Sequence, residues 1–314
     1  MILMGVVNLT PDSFREETRA MTPAAIRRRV KALLGRGCGI IDFGAVSTRP
    51  GAADVPVETE WQRLEPALCL YRNGGIAPET HATLGTVTED KPREVPLADT
   101  SEVRTRKGLQ SLTGGTVNEV NGGVERAGSP KISDFWGAAS ETVSGAIPSI
   151  SIDTTNAEIV RRVYGRIGRF IVNDISAGED DPAMLPTVAE LGLPYIAMHK
   201  RGNPRSMDAL ADYPQGGVKA VDEYFEQFAA KAEKSGITEW ILDPGFGFAK
   251  TAEQNWELLE NLHVFKHFGR PILVGVADKR FTRTPNPFAP GQDTGSQYAE
   301  RLAVERGADI LRIH

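Results

Sequence analysis

Polar and charged side chains collect just behind short apolar runs in this chain, and their types suit a definite chemistry. Asp153 follows Ser149-Ile150-Ser151-Ile152, and Asn173 and Asp174 follow Phe170-Ile171-Val172. Asp243 opens Asp243-Pro244-Gly245-Phe246-Gly247-Phe248, whose glycines let a backbone loop pass close to a ligand. Lys279 stands behind the run 272–276, and Arg312 and His314 close the run 310–313. Two carboxylates and an amide buried together offer acceptors in fixed directions, which suits a flat heterocycle bearing several ring N–H groups. Cations at Lys279, Arg49 and Arg312 suit a diphosphate and a carboxylate. A lone strand-end Asp can equally be a helix N-cap, and Asp153 before Thr154-Thr155 fits that too. That alternative weakens as more such groups gather at one rim.

Positioning them requires parallel strands. Apolar runs at 2–7, 40–43, 149–152, 170–172, 195–198, 240–242, 272–276 and 310–313 read as eight strands. Stretches of helical period lie between them, at 24–34, 58–71, 157–164, 218–232, 252–262 and 296–305. Eight such units predict a TIM (β/α)8 barrel rather than an open doubly wound sheet, with the working groups at the C-terminal ends of the strands. Residues 1–314 read as a single barrel domain. It carries a long polar insertion at 74–146, between the second helix and the third strand, rich in Gly, Thr, Ser, Glu and Pro. That segment lacks the apolar surface to offset chain entropy and is expected to be largely disordered, with a short helix at 133–140. Joining a helix to a strand, it emerges at the N-terminal face, opposite the site.

Composition excludes several classes. Hydrophobic residues at 40% and charged residues at 25% are ordinary for a soluble globular chain. A net charge of -5 gives no reason to expect nucleic acid or an anionic membrane as partner. No apolar segment approaches the roughly 20 residues that span a bilayer, and the start lacks the pattern of a signal peptide. Cys38 and Cys69 are too few for a disulfide framework or a thiolate metal site and read as packing residues. A cytoplasmic enzyme fits these features.

Two loops sharpen the expectation. Asn8-Leu9-Thr10-Pro11-Asp12-Ser13-Phe14 follows the first apolar run, and Ser47-Thr48-Arg49-Pro50-Gly51-Ala52 follows the second. With Ile152-Asp153-Thr154, Asn173-Asp174-Ile175, Met198-His199, Asp243 to Phe248 and Leu311-Arg312-Ile313-His314, in that order, the chain resembles the dihydropteroate synthases, pterin-binding enzymes of folate biosynthesis and sulfonamide targets. The resemblance covers 1–314 apart from 74–146. It implies condensation of 6-hydroxymethyl-7,8-dihydropterin diphosphate with p-aminobenzoate, giving 7,8-dihydropteroate and pyrophosphate. It further implies that Asn8 helps hold Mg²⁺ on the diphosphate, and that Thr48, Arg49, Arg312 and His314 contact or position that group. Asp153, Asn173 and Asp243 would hydrogen-bond the pterin, with Met198 and Phe248 against its face and Lys279 at its carbonyl side. Asp153, Lys279 and Arg312 would be the catalytic groups. A homodimer is the family's common assembly.

The chain departs from the family pattern at several points. After the seventh strand the family usually shows Ser-Arg-Lys, where this chain has Ala277-Asp278-Lys279. An inward Asp278 would oppose anionic ligands by a few kcal/mol before screening, at an effective dielectric near 20, and an outward one would be almost neutral. A family Gly is replaced by Ala249, and Arg15-Glu16-Glu17-Thr18 stands for a longer Gly-rich segment. The chain stops at His314 where the family continues, so the barrel is expected to lack its final helix. These departures motivate a second reading, a pterin-binding paralogue weak or inactive in synthesis. A pterin-dependent methyltransferase domain is a third, without support from the loops after the first two strands. His263 and His267 read as surface residues, His199 as a pocket residue or a loop anchor, and Glu179-Asp180-Asp181 as a helix N-terminus.

Overall fold

The computed structural model describes residues 1–10, 22–47, 54–74, 148–202 and 210–314. The insertion expected at 74–146 lies outside them except for Gly74, as do its short helix, the segment 15–18, and Thr48 and Arg49.

The strands are β1 Ile2–Asn8, β2 Cys38–Gly44, β3 Ser149–Asp153, β4 Ile171–Asp174, β5 Tyr195–Met198, β6 Trp240–Asp243, β7 Leu273–Val274 and β8 Ile310–Ile313. All pairings are parallel, in the order β6-β5-β4-β3-β2-β1-β8-β7. A bridge between Leu242 and Ile272 joins β6 to β7 and closes the ring. This is the TIM barrel that the alternating pattern predicts. The helices between strands are α1 Pro23–Gly35, α2 Val57–Arg72, α3 Ala157–Ile167, α4 Met184–Leu191, α5 Gly217–Ser235, α6 Ala252–Glu260 and α7 Ser296–Glu305. None of the described helices is long and apolar enough to cross a membrane.

Local chemistry sets these boundaries. Thr22 caps α1 by accepting from Ala25 N, with Pro23 in the first turn where its missing N–H costs nothing. Asn156 caps α3 through Glu158 N and Ile159 N, and Thr251 and Gln254 form a reciprocal capping box on α6. Gly236 ends α5 in the left-handed region.

Three expectations need correction. Asp153, Asn173 and Asp243 lie within their strands rather than behind them, because parallel pairing continues through them. The seventh strand is regular over only two residues: Pro271 has no N–H to donate, and Lys279 N turns back to Val276 O. Helix α4, whose N-terminus was expected at Glu179-Asp180-Asp181, begins only at Met184 and runs eight residues through Pro186. That proline stands in the first turn, where a helix tolerates it.

Side chains alternate across each strand, so one set faces the helices and the other fills the barrel. The outer set joins the large core that includes Phe225, Phe228, Trp240, Trp256 and Phe265. The inner set forms a separate apolar floor of Met4, Ile40, Ile171, Ile196, Ile241, Leu273 and Ile310. Truncating that floor leaves a cavity that rigid strands cannot collapse. Ile241→Ala is therefore expected to cost about 2–5 kcal/mol in urea unfolding.

Candidate active site

The site stands on the floor by the arithmetic of a pleat. Two residues beyond Ile40, Ile171, Ile196, Ile241, Leu273 and Ile310, the same inner face carries Asp42, Asn173, Met198, Asp243, Gly275 and Arg312. Two further positions on, it carries Gly44, Ala277 and His314. Across the rim, Asn8 pairs in register with Gly44, Gly44 with Asp153, and Asp153 with Asn173. Above the floor opens a cleft of about 600 Å³, mouth included. Asp153, Asn173, Met198, Asp243, Phe248, Lys279, Arg312 and His314 all line it, alongside Ile175, Phe246, Gly275 and Ala277.

A charge cluster fixes the back wall. Arg312 donates to Asp42 Oδ2 from Nε at 3.0 Å and from Nη2 at 2.8 Å, and Nη2 also reaches Asp153 Oδ2 at 3.2 Å. Asn173 Nδ2 lies 3.4 and 3.3 Å from the two Asp42 oxygens. Asp42 is fully buried and outside the cleft lining, so it acts on ligands only through these neighbours. Sequence reading missed it. Counting two residues on from Ile40 would have found an acid aimed into the barrel.

Burial and like charge shape the protonation states. Asp153 is pushed up to about 7 by burial and by Asp42, with Arg312 pulling the other way. Burial also raises Asp243, against the Gly245 N–H and the nearby Lys279. Lys279 is lowered to about 8, chiefly by burial and then by Arg312, while Asp243 and Asp153 favour its charge. Its Nζ sits 4.7 Å from the centre of the Phe248 ring, a cation–π contact. His314 is lowered to about 4 by burial and by Arg312, so it is a neutral imidazole at pH 7 rather than a cation.

The alternatives left by the sequence resolve on contacts. Asp153 caps no helix, because Asn156 does that for α3. Asp174 faces away from the cleft, accepting from Tyr195 Oη at 2.6 Å, from Ser176 N and Oγ at 2.7 Å and from Gly178 N at 2.9 Å. Asp181 serves helix ends, accepting from Ala157 N and Ala183 N, while Asp180 pairs with Lys200. His199 is a loop anchor whose Nδ1 lies 2.9 Å from Lys250 Nζ, and it is absent from the cleft lining. His263 and His267 are exposed. Cys38 is buried, and Cys69 is partly so. Asp278 is exposed with its backbone at φ 58°, while Ala277 lines the cleft, so the acid at this position faces solvent.

Comparisons with known proteins point to one family. The family described as pterin binding enzyme matches residues 4–77 and 139–314. The chain is 30% identical to the dihydropteroate synthase of Synechocystis sp. over 318 residues, covering 99% of this chain and 84% of that one. This chain belongs to the dihydropteroate synthases. It is 29% identical to the Escherichia coli dihydropteroate synthase, with 99% of this chain and 86% of the relative covered. Among solved structures, the Xanthomonas albilineans dihydropteroate synthase with 4-aminobenzoic acid covers all of this chain and 87% of its own, at a TM-score of 0.65 and 26% identity. The Thermus thermophilus dihydropteroate synthase in complex with 4-aminobenzoate gives 0.64 at the same identity, covering 100% of this chain and 88% of its own. As a dihydropteroate synthase the protein is a transferase of the pterinylmethyl group.

The charge cluster gives a test of the electrostatics. Because the folded-state pKa of Asp153 is raised, the native chain keeps a proton that the unfolded chain has lost between about pH 4 and about pH 7. The stability this group contributes therefore declines as pH rises through that window. Asp42→Asn removes the largest like-charge contribution and should move the Asp153 titration to lower pH, read by ¹³C NMR of its carboxyl carbon. An inflection that stays near 7 would show that burial alone sets it.

Proposed function

We propose that the cleft holds 6-hydroxymethyl-7,8-dihydropterin diphosphate and joins its methylene carbon to the amine of p-aminobenzoate, releasing pyrophosphate. The observation that carries this reading is the convergence of Asp153, Asn173 and Asp243, from three separate strands, on one cleft with an apolar thioether and aromatic wall. These groups accept from and donate to the pterin edge, Met198 and Phe248 lie against its face, and Lys279 donates to its carbonyl side. Arg312 and neutral His314 stand at the strand-eight side and serve the diphosphate, together with Thr48 and Arg49. Arg312 is already held by Asp42 and Asp153, so it is a fixed donor that needs no reorganisation when the leaving group develops charge.

Among the described residues no group of three His, Cys, Asp or Glu side chains could hold a metal. The amide oxygen of Asn8 nevertheless suits Mg²⁺, which commonly keeps its waters and takes most of its oxygens from a substrate's phosphates. Asn8 is the residue of this chain that would hold Mg²⁺, and the ion would supply charge neutralisation on the diphosphate.

The chain's own residues do the rest. Departure of the diphosphate leaves a cation spread over the pterin, and ionised Asp153 beside the ring stabilises it. An aniline-type amine is neutral at pH 7, so its attack needs orientation more than a strong base. The exposed position of Asp278 favours this synthase reading over an inactive paralogue, because no anion is added to the lining of the cleft.

The purified chain with Mg²⁺ and the dihydropterin diphosphate is expected to release pyrophosphate only when p-aminobenzoate is added. Asp153→Asn should weaken pterin binding at pH 8 by roughly 10- to 100-fold, the worth of one hydrogen bond to a charged group. Pterin binding without p-aminobenzoate-dependent release would replace the synthase reading with that of a binding paralogue.

A further inference from the structure

We propose that Lys250 is a positioning residue for pterin recognition, acting through the loop that carries Asp243 and Phe248. The proposal rests on the reading of the cleft as the pterin site. Lys250 does not line that cleft. Its Nζ sits behind the loop, 2.9 Å from His199 Nδ1, 3.0 Å from Gly245 O and 3.1 Å from Phe248 O. Three acceptors match the three protons of an ammonium group. Two of them are the carbonyls at either end of the turn Gly245-Phe246-Gly247-Phe248, so one side chain sets the orientation of both peptide groups.

The same two residues, through their N–H groups, connect to the ligand-facing atoms. Gly245 N donates to Asp243 Oδ1 at 2.8 Å, fixing which carboxylate oxygen faces the cleft. Phe248 N turns back to Gly245 O at 3.2 Å, and its ring lines the cleft under Lys279. The loop has little slack on the His199 side. His199 N bonds Asp243 O at 2.9 Å, and a Cβ added to Gly245 would fall 2.0 Å from His199 O, so only glycine at φ 70° permits this approach. The His199 ring is itself fixed edge-on by Tyr224, at 4.9 Å between centroids. Asn255 separately holds the middle of the turn through Gly247 N at 2.7 Å. Removing Lys250 thus leaves the loop in place but takes the ammonium donor from both end carbonyls, Gly245 O keeping only the weaker Phe248 N–H.

The surroundings make the contact sensitive to pH. Burial lowers Lys250 to about 7; Asp243 favours its charge, and Lys279 and Arg201 oppose it. His199 is pushed well below its ordinary range by burial and by Lys250, so it accepts from the ammonium as a neutral ring. As pH rises through about 7 the amine loses a proton, leaving two N–H groups for three acceptors. The alkaline side of pterin binding then contains a loss near 7 from Lys250, opposed there by the gain from ionising Asp153, and a loss near 8 from Lys279.

The test compares wild type with Lys250→Met in calorimetric binding of the dihydropterin diphosphate from pH 6 to 9, with steady-state kinetics and thermal melts alongside. The variant is expected to bind the pterin roughly 10- to 100-fold more weakly, as when a hydrogen-bonded support behind a ligand is removed. Turnover at saturating pterin should stay within a few-fold, and the loss near 7 should vanish, leaving the Asp153 gain there and the Lys279 loss near 8. His199→Leu should weaken binding in the same direction, and His199→Asn, which returns an acceptor near Nδ1, should restore it. If Lys250→Met does not fold, the His199 pair decides alone. A lowered melting temperature with unchanged pterin affinity and an unchanged alkaline limb would make Lys250 merely structural and overturn the proposal, as would equal binding by the two His199 variants. A wild type that binds no pterin would instead remove the reading of the cleft, and this assignment with it.

Discussion

A single guanidinium organises the interior of this barrel. Arg312 reaches Asp42 with two nitrogens and Asp153 with one of them, at the level where the apolar floor gives way to the cleft. Leaving a buried charge unpaired is costly, so each member of the cluster is held by the others. Asn173 joins through its amide, and the result is a rigid wall built from β2, β3, β4 and β8. Charges so held need no rearrangement to face a ligand, which is what electrostatic preorganisation requires.

The opposite wall solves a different problem. The loop beyond β6 must bring backbone and an aromatic ring close to the ligand while the carboxylate of Asp243 stays buried. Glycine at 245 allows the close approach, Lys250 and Asn255 tie the turn from behind, and Lys279 crosses over Phe248 at the cleft. One wall is therefore held by an ion cluster and the other by hydrogen bonds to peptide groups. Both stand on the same ring of aliphatic side chains, so packing below and polarity above are two layers of one period-2 pattern.

The family's Ser-Arg-Lys and this chain's Ala277-Asp278-Lys279 show how little a charge reversal says without its direction. The turn beyond β7 sends Ala277 into the cleft and leaves Asp278 exposed in the left-handed region, where a short polar side chain is tolerated. The lysine returns to the cleft side. His314 is a parallel case: burial beside Arg312 makes it a neutral group, although its place among basic residues suggests a cation.

What the sequence determined by itself was the barrel and most of the polar groups that line its cleft. Eight apolar runs alternating with helical stretches specify parallel pairing, and polar residues at the ends of those runs can only collect at one rim. Asp153, Asn173, Asp243, Lys279, Arg312 and His314 were legible as cleft residues on that ground, while Met198 and Phe248 came from the family resemblance. Tertiary structure alone decided the partners. Asp42 is 270 residues from Arg312 along the chain, and His199 is 51 from Lys250. Periodicity places a side chain on a face but carries no information about which distant face closes against it. The protonation states of Asp153, Lys250 and His314 follow from that closure, because burial and neighbouring charge exist only once the ring of strands is complete.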